Sequence, residues 1–216
     1  MAGHVKPKRA YNATLRQELA QLTRQRILDA ARRLLVEGIY SQVTMEEIAR
    51  QAGVAYQTLY GIFRTKLRLA EAIVAADWPH ITAAVKLLDA ARESSDPEIW
   101  LATLATMSRR IYEPCADLMR FMRESGDTAL LGRYRQIERG RHDRLRELRE
   151  LLDNSPRLRP QLTTAEAIDV VWSLSGPDHY IQMVFERGWS ADRYETWLGE
   201  ALPALILRPA LKTRAT

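Results

Sequence analysis

The stretch "TMEEIARQAGVAYQTLYGIF" (residues 44–63) has the local signals of two short helices joined by a glycine-containing turn. Thr44 and Glu47 have the spacing of a capping box, which predicts the start of a helix. Gly53 is expected to end this helix, because a residue without a Cβ can take the left-handed conformation of a tight turn. A second helix is then expected over residues 56–63. This arrangement has the proportions of a helix-turn-helix.

The second helix of this stretch carries several side chains that can form hydrogen bonds outside the protein. In a helix-turn-helix the second helix lies in the DNA major groove, where its outward residues meet base edges and phosphates. Gln57 can bond to N6 and N7 of adenine. Tyr56, Thr58 and Tyr60 can offer hydroxyls to phosphates or apolar contacts to thymine methyls, whereas Phe63 is expected in the core. The alternatives are that Gln57 is only a solvated surface residue and Tyr60 only a core residue.

Positive charge is concentrated around this stretch. Residues 1–70 contain 12 Lys and Arg against 5 Asp and Glu, and the remaining 146 residues contain 20 against 22. This asymmetry suggests a polyanion-binding N-terminal part, and nucleic acid is the commonest cytoplasmic polyanion. Lys66 is expected to begin a helix capped by Thr65, with its charge and the helix dipole available for a phosphate. The alternative is a basic tail without a specific function, and the arm around Lys6, Lys8 and Arg9 is expected either to reach DNA or to be disordered.

The remainder of the chain has the pattern of an all-α fold, because apolar residues recur at helical spacing and no run shows strand alternation. A short helix is expected over residues 12–22, followed by a helix that Thr23 caps and that runs to Glu37. The apolar side of the short helix consists of Leu15, Leu19 and Leu22. Breaks are expected at residues 96–97, 126–127, 153–164, 175–177 and 188–190. Pro203 predicts a kink or an early end in the last helix.

The sequence "TRQRILDAARRLLVEGIYSQVTMEEIARQAGVAYQTLYGIFRTKLRLAEAIV" (residues 23–74) resembles the DNA-binding domain of the TetR family of bacterial transcriptional regulators. The matching positions are Thr44, Ile48, Ala49, Ala52, Gly53, Val54, Thr58, Tyr60, Phe63 and Lys66. Residues 157–162 and 188–198 resemble segments of the ligand-binding part in one subset of that family.

The resemblance implies a two-domain homodimer that represses transcription until a small molecule binds. A basic arm and short helix would occupy residues 1–22, and a three-helix DNA-binding domain with the helix-turn-helix would occupy residues 23–76. A helical ligand-binding and dimerisation domain would occupy residues 77–216. The partners implied are double-stranded DNA with an inverted-repeat operator, a small-molecule effector and a second copy of the chain.

The resemblance also assigns roles to single residues. Thr44 is expected to meet a phosphate, and Lys66 to contact the DNA backbone. The groove-facing surface is expected to consist of Ala55, Tyr56, Gln57, Thr58 and Tyr60. Ala55 stands where serine is frequent, Gly61 where histidine or an aromatic is frequent, and Leu67 where an acidic residue is common. These departures bear on the operator sequence more than on the fold.

Two further sets of residues are candidates for the C-terminal domain. A mostly apolar ligand cavity could be lined by Trp100, Met107, Tyr112, Phe121, Met122, Trp172 and Tyr180. Ordinary core packing is the alternative for each of them. The last two helices, over about residues 177–187 and 191–207, are expected to pack against their symmetry mates. Their apolar stripe supplies the candidate interface residues Tyr194, Trp197, Leu198 and Leu202.

Several function classes find no support in the sequence. No apolar stretch reaches the roughly 18 residues that cross a bilayer, so a cytoplasmic protein is expected. His142 and His179 have no second metal ligand at helical spacing, and no nucleophile lies near a base, so neither an enzyme, a metal site nor a cofactor is expected. Cys115 is expected as a small buried hydrophobe. The arginine-rich residues 133–150 contain interspersed acids and are expected to form a solvated helix face.

Two alternatives to a ligand-responsive regulator remain. An architectural DNA-binding protein without a ligand would bind with strong salt dependence and little sequence dependence. An interaction protein that has lost operator recognition would be unaffected by replacing Gln57 and Tyr60 with alanine. Repression and activation both require only sequence-specific binding, so the sequence leaves both open.

Overall fold

The computed structural model describes the backbone of residues 9–209 and the side chains of residues 13–209. Within this part of the chain there are twelve α-helices, one π-helical segment and no β-strand, so the predicted all-α fold is confirmed. A single isolated antiparallel bridge joins Leu158 and Leu207. Lys6 and Lys8 of the basic arm lie outside the described residues.

The chain forms two compact units, Met1–Ala76 and Asp77–Thr216. The helices of the first unit are α1 (Arg9–Glu37), α2 (Met45–Ala52), α3 (Tyr56–Phe63) and α4 (Lys66–Ala76). Those of the second unit are α5 (Trp78–Val85), α6 (Leu87–Ala91), α7 (Pro97–Glu124), α8 (Thr128–Arg144), α9 (Arg146–Asp153), α10 (Thr164–Leu174), α11 (Pro177–Tyr180) and α12 (Ala191–Ile206). A π-helical segment, Ile181–Glu186, directly continues α11. None of the helices described between residues 9 and 209 is both long and apolar enough to cross a membrane.

Helix α1 is continuous from Arg9 to Glu37, so the predicted break into a short helix and a second, Thr23-capped helix is wrong. Thr23 lies inside α1, and its hydroxyl donates to the carbonyl of Leu19 at 2.8 Å. A threonine can satisfy its hydroxyl in this way without ending a helix, and no glycine or proline interrupts the segment. Leu15, Leu19 and Leu22 are all exposed.

The first unit has a small apolar core that all four helices share. Helix α1 packs against α2 and α4, and α3 packs against α2 and α4. The core side chains include Ile27, Ala30, Ala31, Leu35, Ile48, Leu59, Phe63, Leu69 and Ile73. Burying these groups stabilises an eight-residue helix such as α3, which would be marginal in isolation.

The second unit is built around α7, which packs against α5, α6, α8, α9, α11 and α12. The predicted breaks coincide with observed caps: Asp96 accepts from the Glu98 N–H at 2.9 Å, and Ser190 accepts from the Arg193 N–H at 3.1 Å. Thr163 and Glu166 form a complete capping box at the start of α10.

Helix α12 continues through Pro203 to Ile206, three residues beyond the point where the proline predicts a kink or an early end. The proline removes one backbone hydrogen bond. However, Leu202 and Ile206, on either side of it, are fully buried. Their burial holds the last turn of the helix in place.

Candidate functional site

Helix α2 begins at a side-chain cap on Thr44. The Thr44 hydroxyl accepts a hydrogen bond from the Glu47 N–H at 3.1 Å. The carboxylate of Glu47 lies 4.0 Å from Arg50. Thr44 and Glu47 therefore form half of the predicted capping box, namely the hydrogen bond from the Glu47 N–H to the Thr44 hydroxyl. A cap of this kind typically stabilises a helix by about 1 kcal/mol. It fixes Thr44, one of the predicted phosphate contacts, at the exposed start of α2.

The turn between α2 and α3 depends on Gly53, which has a φ of 64° and ends α2 as predicted. Arg26 of α1 braces this turn, since its Nη2 donates to the carbonyls of Ala52 at 2.7 Å and Gly53 at 3.2 Å. A Cβ on Gly53 would come within 2.6 Å of that Nη2. The role of Arg26 was not predicted from the sequence, although Lys, Arg and His side chains commonly bind the last carbonyls at the C-terminal end of a helix.

Helix α3 separates its side chains into two faces. Leu59 and Phe63 are buried against the rest of the unit. The four polar residues of α3 that were predicted to face DNA lie on the exposed side: Tyr56, Gln57, Thr58 and Tyr60. Ala55 is the N-cap of α3 and supplies no side-chain hydrogen bond.

The aromatic residues of the exposed side are arranged in a short row. The rings of Tyr56 and Tyr60 are stacked with centroids 5.9 Å apart. The guanidinium of Arg64 lies 5.8 Å from the centre of the Tyr60 ring. Arg64 is exposed and ends α3 with a positive φ of 62°. The row thus ends in a cation, Arg64, that the sequence pattern did not predict.

Lys66 is half-buried and is engaged inside the first unit. Its ammonium donates to the carbonyls of Tyr40 at 2.5 Å and Val43 at 2.8 Å. It also lies 4.3 Å from the centre of the Tyr40 ring. Two of its three N–H donors are therefore directed at protein carbonyls. The predicted phosphate contact of Lys66 stays a prediction.

The second unit contains a cavity with a mostly apolar wall. Its volume is about 30 Å³, which is room for one or two water molecules. Three of the predicted ligand residues line it, namely Trp100, Met107 and Tyr112. The other lining residues are Ile81, Leu88, Leu104, Ser108, Ile111, Met119, Ile137, Arg141, Arg144, Leu145 and Ser175. Burial raises the pKa of the Tyr112 hydroxyl, which keeps it protonated.

The other four predicted ligand residues do not line this cavity. Phe121, Met122 and Tyr180 are buried in the core of the unit. Trp172 is 36% exposed, and the guanidinium of Arg141 lies 4.7 Å from the centre of its ring.

The interpretation of residues 133–150 as a solvated face is wrong for two arginines. Arg141 is 8% exposed, pairs with Glu138 at 2.8 Å and donates to the carbonyl of Trp172 at 2.6 Å. Arg144 is half-buried, and burial lowers the pKa of its guanidinium. Both arginines contribute to the cavity wall because α8 packs against α7.

Three of the four residues predicted for the dimer interface are instead buried within the protomer. Tyr194, Leu198 and Leu202 have no exposed surface, because this side of α12 packs on α7. The prediction that they contact a second copy is therefore wrong. Trp197 remains half-exposed, with the Trp189 ring at 5.8 Å and the His179 ring stacked on it at 6.2 Å.

Within the described residues, no group of three His, Cys, Asp or Glu side chains could hold a metal ion. Cys115 is buried, and its thiol donates to the carbonyl of Ile111 at 2.9 Å.

Known proteins resemble this chain in sequence. Residues 27–73 match the family model described as "Bacterial regulatory proteins, tetR family". Over 95 residues the chain is 32% identical to the HTH-type transcriptional regulator SrpR of Pseudomonas putida, a match that covers 44% of this chain and 42% of the length of SrpR.

Two solved structures show the fold. NalD of Pseudomonas aeruginosa, described as the secondary repressor of the MexAB-OprM multidrug efflux pump, has a TM-score of 0.64 at 22% identity, covering 89% of this chain and 100% of that chain. SmeT, solved as a complex with triclosan, has a TM-score of 0.63 at 18% identity, covering 90% of this chain and 96% of that chain.

Proposed function

Because this chain belongs to the TetR family of bacterial regulatory proteins, we propose that it is a sequence-specific DNA-binding repressor that a small molecule releases from its operator. It acts as a homodimer in the cytoplasm, where the chromosomal DNA lies. The observation that carries this proposal is the two-faced helix α3, which is anchored by buried Leu59 and Phe63 and presents four polar side chains outward.

Each part of the exposed face suits a contact with B-DNA. Helix α3 enters the major groove, where Gln57 forms a bidentate contact with adenine, a contact that discriminates by about 1–3 kcal/mol. The stacked rings of Tyr56 and Tyr60 hold two hydroxyls beside one another for phosphates. Thr44, at the start of α2, and Arg64, at the end of α3, add phosphate contacts on either side.

The charge of the first unit favours the same partner. Residues 1–70 have seven more Lys and Arg than Asp and Glu, as their counts of 12 and 5 show. Neutralising DNA phosphates releases condensed counterions, so binding should weaken steeply as the salt concentration rises.

The dimer places two copies of α3 about one DNA turn apart, roughly 34–36 Å, and so requires an inverted-repeat operator.

The proposed dimer interface differs from the one predicted from the sequence, because three of the predicted residues are buried within the protomer. Exposed apolar side chains near the end of the chain supply it instead, with Phe185 47% and Leu205 50% exposed beside half-exposed Trp197.

The effector site is the cavity of the second unit. At about 30 Å³ it is too small for a drug-sized molecule, so an effector must open it. A ligand that binds only the opened form shifts the population toward that form. The repressor function of NalD and the complex of SmeT with triclosan support this assignment by likeness of fold.

The test is selection of bound fragments from a random duplex library at near-physiological salt, followed by sequencing. An enriched inverted repeat is expected, and Gln57→Ala should weaken its binding by about 1–3 kcal/mol and relax the sequence at one position of each half-site. Gln51→Ala, on the exposed side of α2, is the matched control.

Binding without any enriched motif, lost uniformly as salt rises, would contradict the proposal in favour of an architectural protein. The absence of any binding would favour an interaction protein.

A further inference from the structure

Two guanidinium groups line the cavity of the second unit, and they differ in how their charge is compensated. Arg141 has a carboxylate partner in Glu138 and a carbonyl partner in Trp172. Arg144 forms no ion pair within 4.0 Å with any of the described residues, and its buried Nε has no hydrogen-bond partner there; the carboxylates of Glu138 and Asp143 act on it only at longer range. One positive charge of the cavity wall is therefore left without a counter-charge in contact.

Two other polar groups of the same wall are also unsatisfied. Ser108 is 1% exposed and its hydroxyl has no partner among the described residues. Trp100 is fully buried, and its indole N–H has no partner there either. Buried polar atoms without a partner are rare in folded proteins, and a cluster of them at a cavity calls for an occupant that completes their hydrogen bonds.

All three groups can donate a hydrogen bond, and one of them carries a positive charge. The rest of the wall is largely apolar, with side chains such as Leu88, Leu104 and Ile111. Met107 and Met119 also belong to it, and unbranched methionine side chains can move aside to admit a ligand.

We propose that this cavity takes a small monocarboxylic acid, whose carboxylate accepts hydrogen bonds from Arg144 and Ser108 and whose hydrocarbon or aromatic body lies among the apolar side chains. The inference rests on the proposed effector role of the cavity and adds the chemical class of the effector. A carboxylate supplies the one negative charge that Arg144 lacks and matches the planar guanidinium in geometry. A cationic ligand would be repelled by Arg144, and a neutral one would leave its guanidinium without a counter-charge in contact.

The experiment measures binding of four acids to the full-length protein by calorimetry and thermal shift near neutral pH. The probes are hexanoate, octanoate, 4-phenylbutyrate and 1-naphthoate, each compared with its primary amide, which has the same shape without the charge. We expect at least one acid to bind roughly tenfold or more tightly than its amide. Failure of all four acids to bind, or equal binding of acid and amide in every pair, would overturn the proposal.

Variants of Arg144 then test whether this residue causes the preference for the acid over its amide. Arg144→Gln should remove the acid's advantage over the amide, whereas Arg144→Lys should keep part of it, because the charge remains without the planar fork. Arg139→Gln makes the same charge change at an exposed position of α8 and should leave the preference intact. A preference that persists in Arg144→Gln would contradict the assignment.

A parallel measurement of binding to an enriched DNA fragment separates this inference from the proposed function. An acid that binds through Arg144 without weakening DNA binding would uphold the ligand class and contradict the effector role. Release of DNA by an amide as readily as by its acid would uphold the effector role and contradict the ligand class.

Discussion

The ammonium of Lys66 donates a hydrogen bond to the carbonyl of Tyr40 and lies over the ring of the same tyrosine, 4.3 Å from its centre. Lys66 begins α4, whereas Tyr40 lies in the connection between α1 and α2. The contact thus joins two segments that are 26 residues apart. It holds the connection that leads directly into the Thr44 cap.

Replacing Lys66 with methionine should lower the free energy of unfolding by about 1.5–3 kcal/mol, the usual contribution of hydrogen bonds to a charged group. Methionine keeps the apolar stem but removes the donors. Urea denaturation followed by circular dichroism would measure the loss, with Lys86→Met at an exposed position as the control. Unchanged stability together with a salt dependence of DNA binding reduced by about one unit of slope would instead identify Lys66 as a phosphate contact.

The local features of the fold could be predicted because their physics is local. The Thr44 cap, the Gly53 turn and the Asp96 and Ser190 caps each depend on hydrogen bonds or dihedral angles within a few residues. Thr23 shows the limit of this reasoning, since the same residue type can cap a helix or sit inside one. Whether a threonine caps a helix or lies inside one depends on whether the neighbouring residues break the helix.

The long-range features could not be predicted from one sequence. Arg141 and its exposed neighbour Arg139 belong to the same arginine-rich pattern, and only the packing of α8 on α7 buries one and not the other. The apolar stripe of α12 must likewise pack against another surface. The residue types Tyr194 and Leu198 do not indicate whether that surface belongs to a second copy or to α7 of the same chain.

Gly61 and Gly53 should respond in opposite directions to substitution by alanine. A Cβ on Gly61 meets nothing within 4 Å, so Gly61→Ala should stabilise the first unit by up to about 1 kcal/mol through the higher helix propensity of alanine. Gly53→Ala should destabilise it by more than that, because the left-handed φ is strained for alanine and the Cβ meets Arg26. The free energy of unfolding of both variants should be measured side by side by denaturation, and each variant then serves as the control for the other.

A loss of DNA affinity in Gly61→Ala despite its higher stability would show that the missing side chain lets the DNA approach α3 closely. Unchanged affinity would show that the position faces solvent in the complex. A loss of stability in Gly61→Ala would contradict the open space found around this glycine.

Ser108 and Ser175 both line the cavity and are both buried, yet their hydroxyls differ. Ser175 donates to the carbonyl of Val171 at 2.7 Å, so Ser175→Ala should cost about 0.5–1.5 kcal/mol of stability. Ser108→Ala removes a hydroxyl without a partner and should leave the stability unchanged or raise it. Thermal denaturation without added ligand compares the two, and an equal loss in both would show that Ser108 has a bound partner in solution.

Three buried tyrosines should make the protein lose stability in alkaline solution. Burial raises the pKa of the Tyr112 and Tyr194 hydroxyls, and it raises the pKa of Tyr180 to about 12. In the unfolded chain a tyrosine ionises near a pKa of about 10. The folded state keeps the tyrosine protons to higher pH, so this stabilisation is complete below about pH 10 and is lost as the pH rises through the folded pKa.

Urea denaturation between about pH 9 and pH 11.5 should show that the free energy of unfolding falls as the pH rises. The fall should be smaller in Tyr112→Phe, because phenylalanine has no proton to lose. Parallel curves for the variant and the original protein would contradict the contribution of Tyr112.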